Sequence, residues 1–161
     1  MIIPSLCFED IEVGVRLPEL RRRPSAVQLF RFSAVTWNAH RIHYEREYAL
    51  REGYAGVLVH SQLHGCFLAQ IVTDWMGPQG RLTRFSWKNK MPATGGTELI
   101  SRGTVSRVYS AGGVGLVDVD LEELDEHGVL CVCGTATVIL PQRAKMADHA
   151  PQSIFTKPAE D

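Results

Sequence analysis

No stretch of the 161 residues approaches the roughly 20 consecutive apolar positions that a bilayer-crossing helix needs, so no membrane span is expected. Neither sign of charge is in excess: 17 Lys and Arg stand against 18 Asp and Glu, a formal net charge of −1. A nucleic-acid surface normally carries a clear basic excess, and a polynucleotide partner is not expected. The one basic run, Arg21-Arg22-Arg23 before Pro24, reads as a solvated loop. The four cysteines, Cys7, Cys66, Cys131 and Cys133, contain no Cys-x-x-Cys pair, and no basic start leads into a long apolar run as in a secretory leader. A reducing, cytoplasmic setting is the expectation. Cys131 and Cys133, two apart in an apolar stretch, share a face and read as buried small hydrophobes. Internal repeats and domain linkers are also missing.

What remains is an ordinary mixture, 45% hydrophobic and 22% charged, enough for one domain around one core. Residues 11–17 read as a short strand. Ser25-Ala-Val-Gln28 is a capping box that starts a short helix through Val27, Leu29, Phe30 and Phe32. Residues 36–43 break the apolar period with Trp, Asn and His and form an irregular loop; residues 44–51 form another short helix, closed by Gly53 and Gly56. From Ser61, Leu63, Phe67, Ile71 and Trp75 recur every four residues, joined by Leu68 and Val72, the wide stripe of a buried helix. Gly77-Pro78 and Gly80 stop it. Residues 82–88, 98–108, 114–123 and 129–140 are then rich in β-formers, with Val117, Val119 and Leu121 alternating against Asp118 and Asp120. Gly95-Gly96, Gly112-Gly113 and the turn Asp125-Glu-His-Gly128 punctuate them, which predicts successive hairpins. One long helix followed by long antiparallel strands buries its stripe if the sheet curls around it, an α+β architecture. Residues 1–141 form the domain, and 142–161 form a tail, loose or packed as an arm.

Two segments hold the chemistry. Three of the six histidines lie in Asn38-Ala-His40-Arg41-Ile-His43 and in Val59-His60-Ser61, the second opening the long helix. Imidazoles, an amide and the free N–H groups of a helix start suit adding or removing water beside a carbonyl.

These residues, with the 9–14 segment leading to Leu17-Pro18, the strand carrying Pro92 and the closing Gly134-Thr-Ala-Thr-Val-Ile-Leu-Pro141, resemble the MaoC-like hot-dog hydratases and dehydratases over about residues 9–141. Thr36-Trp-Asn-Ala-His-Arg-Ile-His-Tyr44 is most similar to the subgroup of type 2 hydroxyacyl-thioester dehydratases and mesaconyl- and methylfumaryl-CoA hydratases. The resemblance implies a single hot-dog fold, a long central helix wrapped by a curved antiparallel sheet, usually paired into a dimer with a joined sheet. Its common motif, Asp-x-Asn-Pro-x-His, places Asn38 at the Asp position, His40 at the Asn position and His43 at the His position. An amide is no general base, so His43 is left to carry the proton while Asn38 orients water and His40 assists. The family's His-Gly helix start is here His60-Ser61; the Ser61 N–H becomes the oxyanion donor and His60 sets local geometry.

The implied reaction is hydration of a 2-enoyl-CoA or dehydration of a 3-hydroxyacyl thioester, carried by CoA or a carrier protein, with no metal or redox cofactor. His60 and His64, i and i+4 on one helix, also have zinc-ligand spacing, but no Glu of the metalloprotease pattern lies between them. Arg41 has two uses, to meet a distal carboxylate or to brace its loop. Lys88 and Lys90 are either contacts for CoA phosphates or solvated strand-end charges. Two other classes fit the same residues: a hot-dog thioesterase, for which Glu45 and Glu47 are the nearby acids, and a non-catalytic acyl-thioester binding subunit.

Overall fold

A computed structural model describes residues 6–143. After a 3-10 turn at Phe8–Asp10, its order is β1 (Leu20–Arg22), α1 (Ala26–Thr36), the 3-10 turn that carries His43 (Arg41–His43), α2 (Arg46–Arg51), α3 (Ser61–Met76), then β2 (Arg81–Asn89), β3 (Leu99–Ala111), β4 (Val114–Asp125) and β5 (Leu130–Leu140). The five strands make one antiparallel sheet in the order β1-β3-β4-β5-β2.

α3 is the axis of the core. Its stripe of Leu63, Phe67, Leu68, Ile71 and Val72 is buried, and Leu68 and Val72 are wholly enclosed. They share one apolar cluster with Val105 of β3, Val117, Val119 and Leu121 of β4, and Val132 and Val138 of β5, with Trp75 packed at its margin. Burying a side chain of this size contributes about 1.5–3 kcal/mol, so the stripe decides which face of the helix meets the sheet. This is the hot-dog arrangement, a helix held in the concavity of an antiparallel sheet.

The hairpins form where the turn chemistry placed them, with one exception. Gly112 and Gly113, at φ 59° and 73°, connect β3 to β4. Between β4 and β5 the Asp125 carboxylate accepts the N–H groups of His127 (2.9 Å) and Val129 (2.8 Å). The expected β2–β3 hairpin is absent: β2 lies on the far side of β5, from Arg81 opposite Ile139 to Asn89 opposite Val132. Residues 90–98 instead run beside the segment that leads into the start of α3, where Val59 N–H bonds Ala93 O at 2.9 Å.

The expected strand at 11–17 is not one. Gly14, at φ 90°, turns the chain, and only the bridge between Arg16 and Thr104 and a few bonds such as Leu17 N–H to Gly103 O (2.9 Å) tie it to β3. The edge strand falls instead on the basic run, where Arg21 pairs with Glu19 and Glu98 and Arg23 with Glu126, all at the surface. Ser25 caps α1, its Oγ accepting from Gln28 N–H at 3.2 Å, which is one half of the expected capping box. α2 starts at Arg46, two residues later than expected, because the 3-10 turn runs to His43 and Tyr44 caps it. Cys131 is buried and Cys133 half-buried. Of the expected tail, residues 144–161 lie outside the described residues. No described helix is long and apolar enough to cross a membrane.

Candidate active site

The 3-10 turn, the start of α3 and the end of β2 enclose a cleft of about 470 Å³, lined by His43, Ser61, Gln62, His64, Asn89 and Lys90 together with Ile42, Tyr54, Leu58, Val59, Met91 and Pro92. His43 is buried there by its backbone. Leu58 N–H bonds Ile42 O (2.9 Å), and the His43 Nδ1–H donates in return to Leu58 O (2.9 Å). A carbonyl only accepts, so the proton of a neutral ring sits on Nδ1 and the Nε2 lone pair is left for chemistry. Burial holds the His43 pKa below its ordinary 6.5; the Leu58 bond opposes this and the charge of His40 adds to it.

His60 lies behind it. Its ring stacks on His43 with centroids 3.8 Å apart and planes 17° off parallel, and Phe32 packs at 4.9 Å. Its Nε2 shares a 2.8 Å hydrogen bond with Ser33 Oγ, while its Nδ1 is buried without a partner among the described residues. Burial first, then the neighbouring His43 and His64, push its pKa to about 4. His60 is therefore neutral near pH 7 and supports His43 without repelling a proton on it.

Ser61 is turned away from the open helix end. Its hydroxyl donates to Asn89 Oδ1 and accepts from Trp87 Nε1, both at 3.2 Å. Trp87 reaches it because Gly65 has no Cβ; one built there would lie 2.8 Å from the indole. The Leu63 and His64 N–H groups bond His60 O at 3.0 and 3.1 Å, whereas those of Ser61 and Gln62 have no acceptor among the described residues. These are the orphan donors of a helix start, with its partial positive charge.

The remaining expected residues are not all in this cleft. Asn38 lines a second cleft with Phe30, Ser33, Ala34, Trp37, Ala39 and Tyr44, and its Oδ1 accepts His40 N–H at 3.1 Å. The link between the two clefts is Ser33, hydrogen-bonded to the His60 that stacks on His43. His40 is exposed; its Nδ1 caps the turn at Ile42 N–H (3.4 Å), with its ring 6.1 Å from that of His43. Arg41 is clamped by Glu45 through Nε (2.6 Å) and a second nitrogen (2.5 Å), and lies over the Tyr48 ring, which makes it a loop brace. That clamp also occupies Glu45.

One group escaped the sequence reading. His64, buried at 2% exposure, bonds through Nδ1 to Glu123 Oε1, and the other oxygen of this fully enclosed carboxylate accepts from Ser101 Oγ at 2.8 Å. Glu45 and Glu47 are thus not the only acids near the helix. Glu123 continues the inward phase of Val117, Val119 and Leu121, and Ser101 that of Leu99 and Val105, so the signal was the alternation itself. His60 and His64 engage different partners, and among the described residues no three His, Cys, Asp or Glu side chains are grouped to hold a metal ion.

A helix in a curled five-stranded sheet, with histidines over the helix start, defines a hot-dog fold. More particularly, residues 17–94 match the family described as hydroxyacyl-thioester dehydratase type 2, the subgroup that the 36–44 motif resembles. A curated relative, mesaconyl-C(4)-CoA hydratase of Chloroflexus aurantiacus, is 53% identical over 70 residues, 43% of this chain and 24% of the relative's own length. Among solved structures, an R-hydratase from Pseudomonas aeruginosa superposes with TM-score 0.77 at 21% identity, covering 86% of this chain and 88% of that one. A MaoC-like dehydratase from Rhodospirillum rubrum gives 0.75 at 19%, covering 86% and 98%. At these identities the two structures speak for the fold.

Proposed function

We propose that this chain adds water to the double bond of a 2-enoyl-CoA, or removes it from a 3-hydroxyacyl thioester. The observation that carries the reading is His43, held as the Nδ1–H tautomer by Leu58 O, in one cleft with the unpaired N–H groups at the start of α3. Hydration needs a base for the water proton and donors for the thioester oxygen as it turns to an enolate. His43 Nε2 takes the proton. The Ser61 N–H faces the oxygen, a contribution of about 3 kcal/mol for one such donor.

Asn38 has the smaller part. Its Oδ1 holds the turn that presents His43, and its amide NH₂ is left to orient water. His40 steadies the same turn and His60 backs the ring. With Arg41 clamped by Glu45, Lys90 is the cation of the cleft for a phosphate of CoA or an acidic acyl group. The substrate is a thioester of CoA or a carrier protein, no metal or redox cofactor takes part, and the protein works in the cytoplasm as a homodimer. The family match and the mesaconyl-C(4)-CoA hydratase relative support this chemistry.

The test follows enoyl absorbance with crotonyl-, hexenoyl- and mesaconyl-CoA. The wild type consumes at least one of them, and His43→Ala loses roughly 10²- to 10⁴-fold in kcat/KM, the usual worth of a general base. Unchanged turnover in His43→Ala overturns the reading. Release of free thiol in place of hydration identifies a thioesterase, and binding without turnover a carrier subunit.

A further inference from the structure

We propose that His64, braced by Glu123, is a second proton-transfer residue of the cleft, acting at the α-carbon of the acyl group. The proposal rests on the hydratase reading above and assigns a role in it to residues that reading leaves idle. His64 lines the same cleft as His43 and Ser61. Its Nδ1 is committed to Glu123, and among the described residues its Nε2 has no hydrogen-bond partner, so Nε2 is the nitrogen left to meet a ligand. Among the described residues Glu123 makes no other ion pair: Ser101 holds one oxygen and His64 the other, inside the sheet. A carboxylate is expensive to enclose, and one placed behind an imidazole fixes the orientation of the ring. A purely apolar core would use a Val or Leu here, as β4 does at Val117, Val119 and Leu121.

Hydration makes two proton transfers, and the cleft holds two histidines. The water O–H bond breaks as its oxygen bonds the β-carbon, and its proton passes to His43 Nε2. The electron pair of the double bond moves into the enolate held by the Ser61 N–H, then takes the proton of His64 Nε2 to form the α C–H bond. Solvent in the open cleft returns a proton from His43 to His64, and one water has been added. Glu123 is the positioning residue; it touches no substrate.

The test separates the α-carbon step from water addition. Butyryl-CoA has no double bond, and exchange of its α-protons in D₂O, read by NMR, asks only for a base at that carbon. His64→Gln alone strands a buried carboxylate, so the main variant is His64→Gln with Glu123→Gln, an uncharged pair that can still hydrogen-bond; circular dichroism checks its fold. Glu123→Gln alone is the second variant, keeping a polar partner for both neighbours. We expect wild-type exchange, a loss of roughly 10²-fold or more in the double variant and about tenfold in Glu123→Gln, and in His43→Ala a far larger loss of hydration than of exchange. Exchange undiminished in the double variant, exchange that follows His43 instead, or none in a wild type that hydrates crotonyl-CoA overturns the proposal. A wild type that exchanges α-protons but hydrates no enoyl-CoA refutes the hydratase reading and leaves the α-carbon base in place.

Discussion

A histidine with no exposed surface and a pKa pushed to about 4 must be neutral for the fold to close around it. Between pH 6.5 and 4 the unfolded chain binds a proton at His60 that the folded chain does not, so acidification through this window costs stability and the contribution is complete above about pH 6.5. Melting temperatures between pH 7 and 4.5 are expected to fall, and to fall less steeply in His60→Asn, which has no group that titrates in this window and suits the N-cap position of α3. For His43 the lowered pKa implies that hydration holds on acidification past the point where an ordinary histidine protonates; a pH profile of kcat/KM breaking at or above 6.5 would contradict this. At this scale the chain was legible where chemistry follows from residue type. His43, His60 and Ser61 were expected in the site, and His43 and Ser61 share the cleft. Arg41 was ambiguous because a guanidinium binds substrate or neighbour alike, and its pairing with Glu45, i and i+4, is visible only in the fold.

Elements were legible in proportion to their periodicity. The α3 stripe runs over four turns and its bounds came out close to the reading, whereas residues 11–17 carry strand-forming side chains interrupted by Gly14, whose positive φ breaks the ladder. The edge strand went unread because three arginines look solvated; Arg21 and Arg23 are exposed, but Arg22 is half-buried and the backbone of Leu20–Arg22 pairs with β3. The position of β2 was unreadable for another reason: nothing local tells a strand whether its partner is next in the chain or last. Glu123 was hidden by its own charge, which masked an inward phase. The centre of α3 should tolerate least. Leu68→Ala removes a wholly enclosed side chain and is expected to cost about 2–5 kcal/mol, measurable as a lower urea midpoint at constant slope. A loss under about 1 kcal/mol would mean the core there is loosely packed.

Taken as a whole, the molecule is a sheet threaded out of chain order around one helix, and its cleft is assembled from three separate stretches: the 3-10 turn, the start of α3 and the end of β2. The site therefore exists only when the sheet has closed, which is why sequence spacing alone could list its residues but could not separate Asn38 from His43. The same closure joins distant parts of the chain. Phe8 N–H bonds Pro141 O at 2.9 Å, the Phe8 ring covers the space above Gly115, and Arg143 N–H reaches the Glu9 carboxylate at 3.2 Å. Positions 8 and 141 are thus neighbours, and the path from one round to the other is nearly a ring. Such a ring has no required starting point. A circular permutant joining residue 143 to residue 6 through a short glycine-serine linker, and opened at the exposed Glu126-His127 turn, should fold and keep the cleft.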